Sequence, residues 1–192
     1  EPSAMSGGNK TYRKRKMKKR VILSGGGTGG HIYPAVAVAE ALRRKWGDDV
    51  ELLFVGAEGK MEMEKVPALG YRIVGLPIAG LQRRLDVKNL LVPFKVVRSV
   101  MAARGIIRDF SADVVAGFGG YASAPVLWAA QRMGVPTVIQ EQNSYAGVTN
   151  KILARRARRI CVAYDGMERF FPADRIVKTG NPLRGDFSHT VS

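Results

Sequence analysis

The chain has 192 residues, 46% of them hydrophobic, and its 31 Lys and Arg against 16 Asp and Glu give a formal charge of +15. A chain of this size buries roughly 70% of its unfolded surface, enough for one large domain or a domain plus an appendage, which excludes disorder and miniprotein scaffolds. The single cysteine, Cys161, cannot form an internal disulfide, so a stapled secreted framework is excluded and a reducing compartment is expected.

Eight bases, Lys10, Arg13, Lys14, Arg15, Lys16, Lys18, Lys19 and Arg20, face Glu1 alone and place +7 in residues 1–20. Such a like-charged block with little apolar content repels itself, which predicts an unstructured arm over 1–17. The arm either touches nucleic acid or anionic lipid or is a solvated terminus. The apolar run that follows, Val21-Ile22-Leu23, breaks at Ser24-Gly25 and is too short for a signal peptide core.

From Val21 onward β-branched runs alternate with helical periodicity. A strand over 21–23 leads to a helix over 34–46, whose Ala35, Val38, Ala39, Leu42 and Trp46 recur at helical spacing. A second strand over 50–55 ends at Gly56. A helix over 60–69 closes at Gly70, and a third strand covers 71–76. A long helix over 87–110 precedes a fourth strand at 113–116. A helix over 124–133 stops at Gly134, and a fifth strand occupies 135–139. Further units fall at 148–157, 159–163 and 175–178, and Gly180-Asn181-Pro182-Leu183-Arg184-Gly185 reads as an exit from the domain. The longest uncharged stretch, 114–131, contains Gly117, Gly119, Gly120 and Pro125 and suits a strand, a turn and a helix, so no transmembrane segment is predicted.

Strands alternating with helices of this length predict an α/β fold, a Rossmann-like doubly wound parallel sheet with helices on both faces. With strand order 3-2-1-4-5, the winding reverses between strands one and four, and the loops at their carboxyl ends open a crevice where ligands bind.

Three loops fall at that edge. Ser24-Gly25-Gly26-Gly27-Thr28-Gly29-Gly30-His31 lacks nearly every Cβ, so its N–H groups can approach an oxyanion at the positive end of the next helix. A tight turn without ligand is the alternative. Gly25, Gly27 and Gly30 also fit the dinucleotide fingerprint, yet strand two ends Phe54-Val55-Gly56 with no acid to hold a ribose, and Glu58 lies beyond the glycine. A P-loop is excluded because no lysine follows the glycines. Gly117-Phe118-Gly119-Gly120-Tyr121-Ala122-Ser123 forms a second such turn, so two helix amino termini are expected to face one crevice, more anion-binding capacity than a single phosphate requires and enough for a pyrophosphate. After strand five, Gln140-Glu141-Gln142-Asn143-Ser144-Tyr145 is expected as a polar loop for sugar hydroxyls or amides, or as a helix cap through Asn143 or Ser144. His31 can accept a proton from a hydroxyl nucleophile near neutral pH, or it pins the loop and binds phosphate. Asp48-Asp49 reads as a turn at the opposite end of the sheet, and no His, Cys or carboxylate spacing indicates a metal.

Four segments now stand in order over about Lys18 to Arg184. They are Gly26-Gly27-Thr28-Gly29-Gly30-His31 with Pro34, Gly119-Gly120-Tyr121, Glu141-Gln142-Asn143 with Gly147, Thr149 and Asn150, and Gly180-Asn181-Pro182-Leu183-Arg184. Together they resemble the MurG family, bacterial UDP-N-acetylglucosamine transferases that convert lipid I to lipid II in peptidoglycan synthesis.

The resemblance implies a GT-B fold of two Rossmann-like domains. Residues 18–179 would be the N-terminal acceptor domain and 180–192 the start of the linker, with the donor domain absent and the isolated chain inactive. It further implies that the acceptor pyrophosphate meets Gly26, Gly27, Gly29, Gly30, Gly119, Gly120 and Tyr121. Thr28, Gly29, Gly30, Asn143 and Arg184 match positions that contact UDP-GlcNAc. His31, as candidate base, with Glu141 and Asn143, matches the catalytic cleft where the muramyl 4-hydroxyl attacks the anomeric carbon with inversion. Many relatives have histidine where this chain has Gln140, which leaves His31 as the cleft imidazole.

No cofactor or metal is expected, since Arg184 and a helix terminus can stabilise a departing nucleotide diphosphate. A lipid acceptor implies a peripheral place on the cytoplasmic face of the bacterial inner membrane. Ile78, Leu81, Arg83, Arg84, Leu85, Leu91 and Phe94 mix apolar and basic residues suited to shallow insertion among anionic headgroups. Two other readings stand beside this one. A dinucleotide-binding oxidoreductase domain would need the missing ribose acid, and a basic nucleic-acid-binding protein would lean on the arm with no base-stacking or groove-reading motif.

Overall fold

The computed structural model describes residues 18–78, 92–120 and 122–183. Among these residues, seven parallel strands form one sheet in the order β3-β2-β1-β4-β5-β6-β7. They are β1 (Lys19–Ser24), β2 (Val50–Ala57), β3 (Ile73–Leu76), β4 (Val114–Gly117), β5 (Thr137–Glu141), β6 (Arg159–Val162) and β7 (Ile176–Lys178). The helices are α1 (Gly29–Trp46), α2 (Glu62–Ala68), α3 (Val92–Phe110), α4 (Ser123–Arg132) and α5 (Val148–Ala154). The expected order 3-2-1-4-5 is therefore present and continues by two strands.

Period-two alternation divides the core in two. Val21, Leu23, Leu52 and Phe54 face α1 and α2 through Ile32, Ala35, Val36, Ala39 and Val66. Ile22, Leu53, Val55, Val115, Ile139 and Ile160 point the other way, onto Ile107 of α3, Leu127 of α4 and Leu153 of α5. A strand buried on both faces must be apolar at consecutive positions, which is why β1 and β2 read as continuous runs. The sheet winds one way from β1 to β3 and the other way from β4 to β7. Residue pairs Leu23 with Ala116 and Ser24 with Gly117 bring the ends of β1 and β4 level. The crevice thus opens between the two glycine turns.

Several element ends differ from expectation. The helix expected from Pro34 begins at Gly29, where the Thr28 carbonyl already accepts from the N–H groups of His31 and Ile32, both at 3.2 Å. Glycine's low helix propensity hides that turn from sequence periodicity. β2 runs through Gly56 to Ala57, because Gly56 pairs with Gly75 of β3. Gln140 and Glu141, expected in a loop, are the last residues of β5, paired with Cys161 and Val162. Both are buried, so the polar loop starts at Gln142. Asp48 and Asp49 lie in a 3-10 turn (Gly47–Asp49) at the amino end of β2, away from the crevice.

Cys161 is partly buried in β6. Burial pushes its thiol pKa up, opposed by a weaker effect of a hydrogen bond with the Thr179 side chain. Iodoacetamide should therefore alkylate the folded chain more slowly than the urea-unfolded chain at the same pH, since the thiolate reacts. Because the folded value is raised, the associated stability is fully present below the ordinary value of 9.0 and is lost as pH rises through the folded value. Equal alkylation rates in the two states would contradict the burial.

Candidate functional site

The two glycine turns are tied to each other at the carboxyl edge. Gly26 N–H donates to the Gly119 carbonyl at 3.3 Å, and Phe118 N–H donates to the Ser24 carbonyl at 2.8 Å. Gly120 approaches most closely: a Cβ there would stand 2.1 Å from the Gly26 carbonyl oxygen, and its φ is +86°. Only glycine permits this contact, so the second turn rests backbone to backbone on the first.

His31 stands in the first turn of α1 and reaches across to the second glycine turn. A Cβ on Gly119 would lie 2.9 Å from its Nε2. Its Nδ1 lies 3.0 Å from the Gly26 carbonyl oxygen and 3.2 Å from Thr28 Oγ1. A carbonyl only accepts, so Nδ1 carries the proton of the neutral ring and Nε2 keeps its lone pair. That tautomer suits a base whose working nitrogen faces the second turn.

The N–H groups divide into two sets. Those of Gly26 and Gly27 are taken within the protein, the second by Glu62 Oε2 at 3.0 Å. Those of Thr28, Gly29 and Gly30, at the open end of α1, meet no acceptor among the described residues, nor do those of Gly119 and Gly120. A helix of eighteen residues concentrates partial positive charge at that end.

Glu141 is 2% exposed, with both oxygens occupied. Its Oε1 accepts from Asn143 N–H and Nδ2, each at 3.1 Å, and its Oε2 accepts from Asn150 Nδ2 at 2.8 Å. It therefore shapes the loop after β5, while Asn143 is exposed at the loop surface. Gln142 Nε2 donates to the Phe118 carbonyl at 2.8 Å and also to Gln140 Oε1, joining this loop to the second glycine turn. Asn181 Nδ2 donates to the Gln142 carbonyl at 3.3 Å, and Gln140 Nε2 donates to Asn181 Oδ1 at 3.3 Å. All four motifs are thus linked by hydrogen bonds along one edge. Tyr121 and Arg184 lie outside the described residues, as does the second histidine, His189.

Sequence reasoning missed Glu62, which is fully buried beneath the first turn. An acid in the first turn of a helix reads as ordinary dipole compensation, so nothing local marks its tertiary contact. Glu58, the residue nearest to a ribose-binding acid, folds over Gly75 of β3, where a Cβ would meet its Cγ at 2.7 Å. No group of three or more His, Cys, Asp or Glu side chains placed to hold a metal occurs among the described residues. A separate cavity of about 390 Å³, lined by Lys151, Arg155, Arg169 and Phe170, lies along α5 and shares no residue with the turns.

Of the expected membrane residues, Ile78 is half-buried and packs against the core on the α3 to α5 side, which corrects its expected exposure. Phe94 is 74% exposed and continues into exposed Val97 and Met101 at helical spacing on α3, beside exposed Lys95 and Arg98. Leu81, Arg83, Arg84, Leu85 and Leu91 lie outside the described residues. No helix among the described residues is long and apolar enough to cross a membrane.

Comparison with known proteins agrees with this geometry. Residues 21–162 match the glycosyltransferase family 28 N-terminal domain. A relative from Parabacteroides distasonis is 57% identical over 175 residues, covering 91% of this chain and 47% of its own length. One from Bacteroides fragilis is 63% identical over 165 residues, covering 86% and 43%. Both are named UDP-N-acetylglucosamine–N-acetylmuramyl-(pentapeptide) pyrophosphoryl-undecaprenol N-acetylglucosamine transferase. The crystal structure of Acinetobacter baumannii MurG superposes with a TM-score of 0.70 at 32% identity, over 85% of this chain and 46% of that one. A UDP-GlcNAc 2-epimerase from Neisseria meningitidis, at 12% identity and a TM-score of 0.61 over 86% of this chain and 46% of that one, shares the fold alone. The chain spans less than half the length of these relatives. With the family's domain matched from β1 through β6 and its glycine turns joined at the sheet edge, the chain belongs to glycosyltransferase family 28, carries its N-terminal domain and has MurG transferases as relatives.

Proposed function

We propose that the chain is the acceptor domain of an inverting N-acetylglucosaminyltransferase. It takes lipid I and presents the muramyl 4-hydroxyl to UDP-GlcNAc held by a second, donor domain. The supporting observation is the meeting of two glycine turns with uncommitted N–H groups beside an imidazole whose Nδ1 is held on the Gly26 carbonyl and whose Nε2 faces the second turn. The turns offer the acceptor diphosphate a seat of amides and helix-end charge. His31 Nε2 takes the hydroxyl proton as the oxygen attacks the anomeric carbon, and the C–O bond to UDP breaks with its electron pair leaving on the diphosphate. Asn143, braced by Glu141, offers its exposed amide to the donor sugar. Arg184, as a hinge cation, meets the leaving diphosphate once the domains close, so the reaction needs no metal.

In this reading the chain works on a membrane surface, at the cytoplasmic face of the bacterial inner membrane. The stripe of Phe94, Val97 and Met101, flanked by Lys95 and Arg98, suits shallow insertion near anionic lipid.

Calorimetric titration checks the acceptor seat. A soluble short-prenyl lipid I analogue should bind at least about tenfold more tightly than the same sugar-peptide lacking its diphosphate, a difference of about 1.4 kcal/mol. Equal affinity would remove the turns as a diphosphate seat.

A further inference from the structure

Glu62 is a fully buried acid, and no ion pair to it occurs among the described residues. A carboxylate removed from water is costly unless its oxygens are hydrogen-bonded. Here Oε1 accepts from Ala57 N–H at 2.9 Å and Oε2 from Gly27 N–H at 3.0 Å. One side chain therefore joins the end of β2 to the first glycine turn. The fit is close on both sides. A Cβ on Gly26 would stand 2.1 Å from Oε1, and a Cβ on Gly56 would stand 2.5 Å from Cγ.

We infer that Glu62 is a positioning residue that sets which amides of the first glycine turn can meet the acceptor diphosphate. This inference rests on the diphosphate reading above. By drawing the Gly27 N–H inward, Glu62 fixes the peptide plane between Gly26 and Gly27, two residues ahead of α1, and so leaves the Gly29 and Gly30 amides free for the anion. A carboxylate beneath an anion seat would repel the anion, but bonding to Gly27 and Ala57 offsets its charge locally. The anion then belongs on Gly29, Gly30 and the second turn, with Gly26 and Gly27 acting as the framework. This departs from the sequence expectation, which placed Gly26 and Gly27 on the acceptor pyrophosphate together with Gly29, Gly30, Gly119 and Gly120.

Glu62→Gln is the direct test because it preserves shape. Its amide keeps one oxygen to accept from one N–H and turns an NH2 group, a donor, toward the other. In the 192-residue chain, hydrogen exchange at the Gly27 amide, the Ala57 amide or both should quicken at least about tenfold, since only one of them can keep an oxygen acceptor, while the Ile22 and Val115 amides of the sheet keep their rates. Affinity for the short-prenyl lipid I analogue should fall about tenfold, with affinity for the diphosphate-free sugar-peptide unchanged. Unaltered rates at both Gly27 and Ala57, or equal loss for both ligands, overturn the inference, the latter because it marks general loosening. If the wild-type chain does not distinguish the ligands, the diphosphate reading fails, while the exchange rates still judge the contact. Should Glu62→Gln not fold, Glu62→Asp replaces it and should show the same selective loss. Should neither fold, the wild-type Gly27 amide decides the contact: exchange as slow as at Ile22 supports it, and exchange at the rate of an exposed turn refutes it.

Discussion

Gly120→Ala is expected to destabilise the chain by about 2–5 kcal/mol, combining about 1–2 for a left-handed non-glycine residue with about 1–3 for overpacking. The added Cβ would sit 2.1 Å from the Gly26 oxygen and 2.9 Å from its carbonyl carbon, and no rotamer change can move it. The backbone of one turn must therefore retreat from the other. Gly134→Ala separates the two contributions. Gly134 has φ +75° but nothing within 4 Å of its hypothetical Cβ, so it should cost only the conformational part. Urea titration of both variants measures the difference. A Gly120→Ala midpoint no lower than that of Gly134→Ala would show that the turns do not press together. If the Gly120 variant still folds, it should also lose its preference for the diphosphate-bearing acceptor, because the turns would no longer share one seat.

His31→Ala should lower kcat about 10²–10⁴-fold in an enzyme reconstituted from this chain and a donor domain. Acceptor affinity should change little, since the amides of Gly29 and Gly30 remain. The imidazole is held by the Gly26 carbonyl at 3.0 Å, so its loss also removes a loop contact contributing about 1 kcal/mol. His31→Gln tests this contact separately, because the amide can donate to Gly26 but cannot act as a base at neutral pH. A fall in kcat with both variants supports proton transfer. A rate restored by His31→Gln would reassign the residue to holding the loop, and an undiminished rate in His31→Ala would reject it as the base.

Much of the architecture was legible because buried parallel strands and amphipathic helices have different periods. Val21-Ile22-Leu23 and Leu52-Leu53-Phe54-Val55 can be apolar on consecutive positions only if both faces are covered. Boundaries were less legible where glycine or polar residues sit at element ends. The start of α1 was hidden in glycines, and the end of β5 was hidden because Gln140 and Glu141 look like loop residues. Their polar groups are satisfied by partners that no strand pattern announces, Asn181, forty-one residues on, for Gln140 and Asn143 with Asn150 of the following loop and helix for Glu141. At the surface, α3 exposes Val97 and Met101 as well as Phe94, so the apolar stripe extends farther along the helix than the mixed apolar and basic pattern had marked.

The α/β class, the order of the first five strands and the place of the two glycine turns at the ends of β1 and β4 were legible in the sequence alone, because strand and helix periods and glycine turns are local signals. The tertiary structure decided which amides are spent inside the protein, which nitrogen of His31 keeps its lone pair, and that Glu62 belongs to the site. The amides and Glu62 depend on hydrogen bonds between segments far apart in the chain, Gly27 with Glu62 and Gly26 with Gly119, while the His31 ring depends on how the glycine turn folds back on itself to bring the Gly26 carbonyl to Nδ1. Side-chain identity sets the capacity to donate or accept, and folding selects the partner.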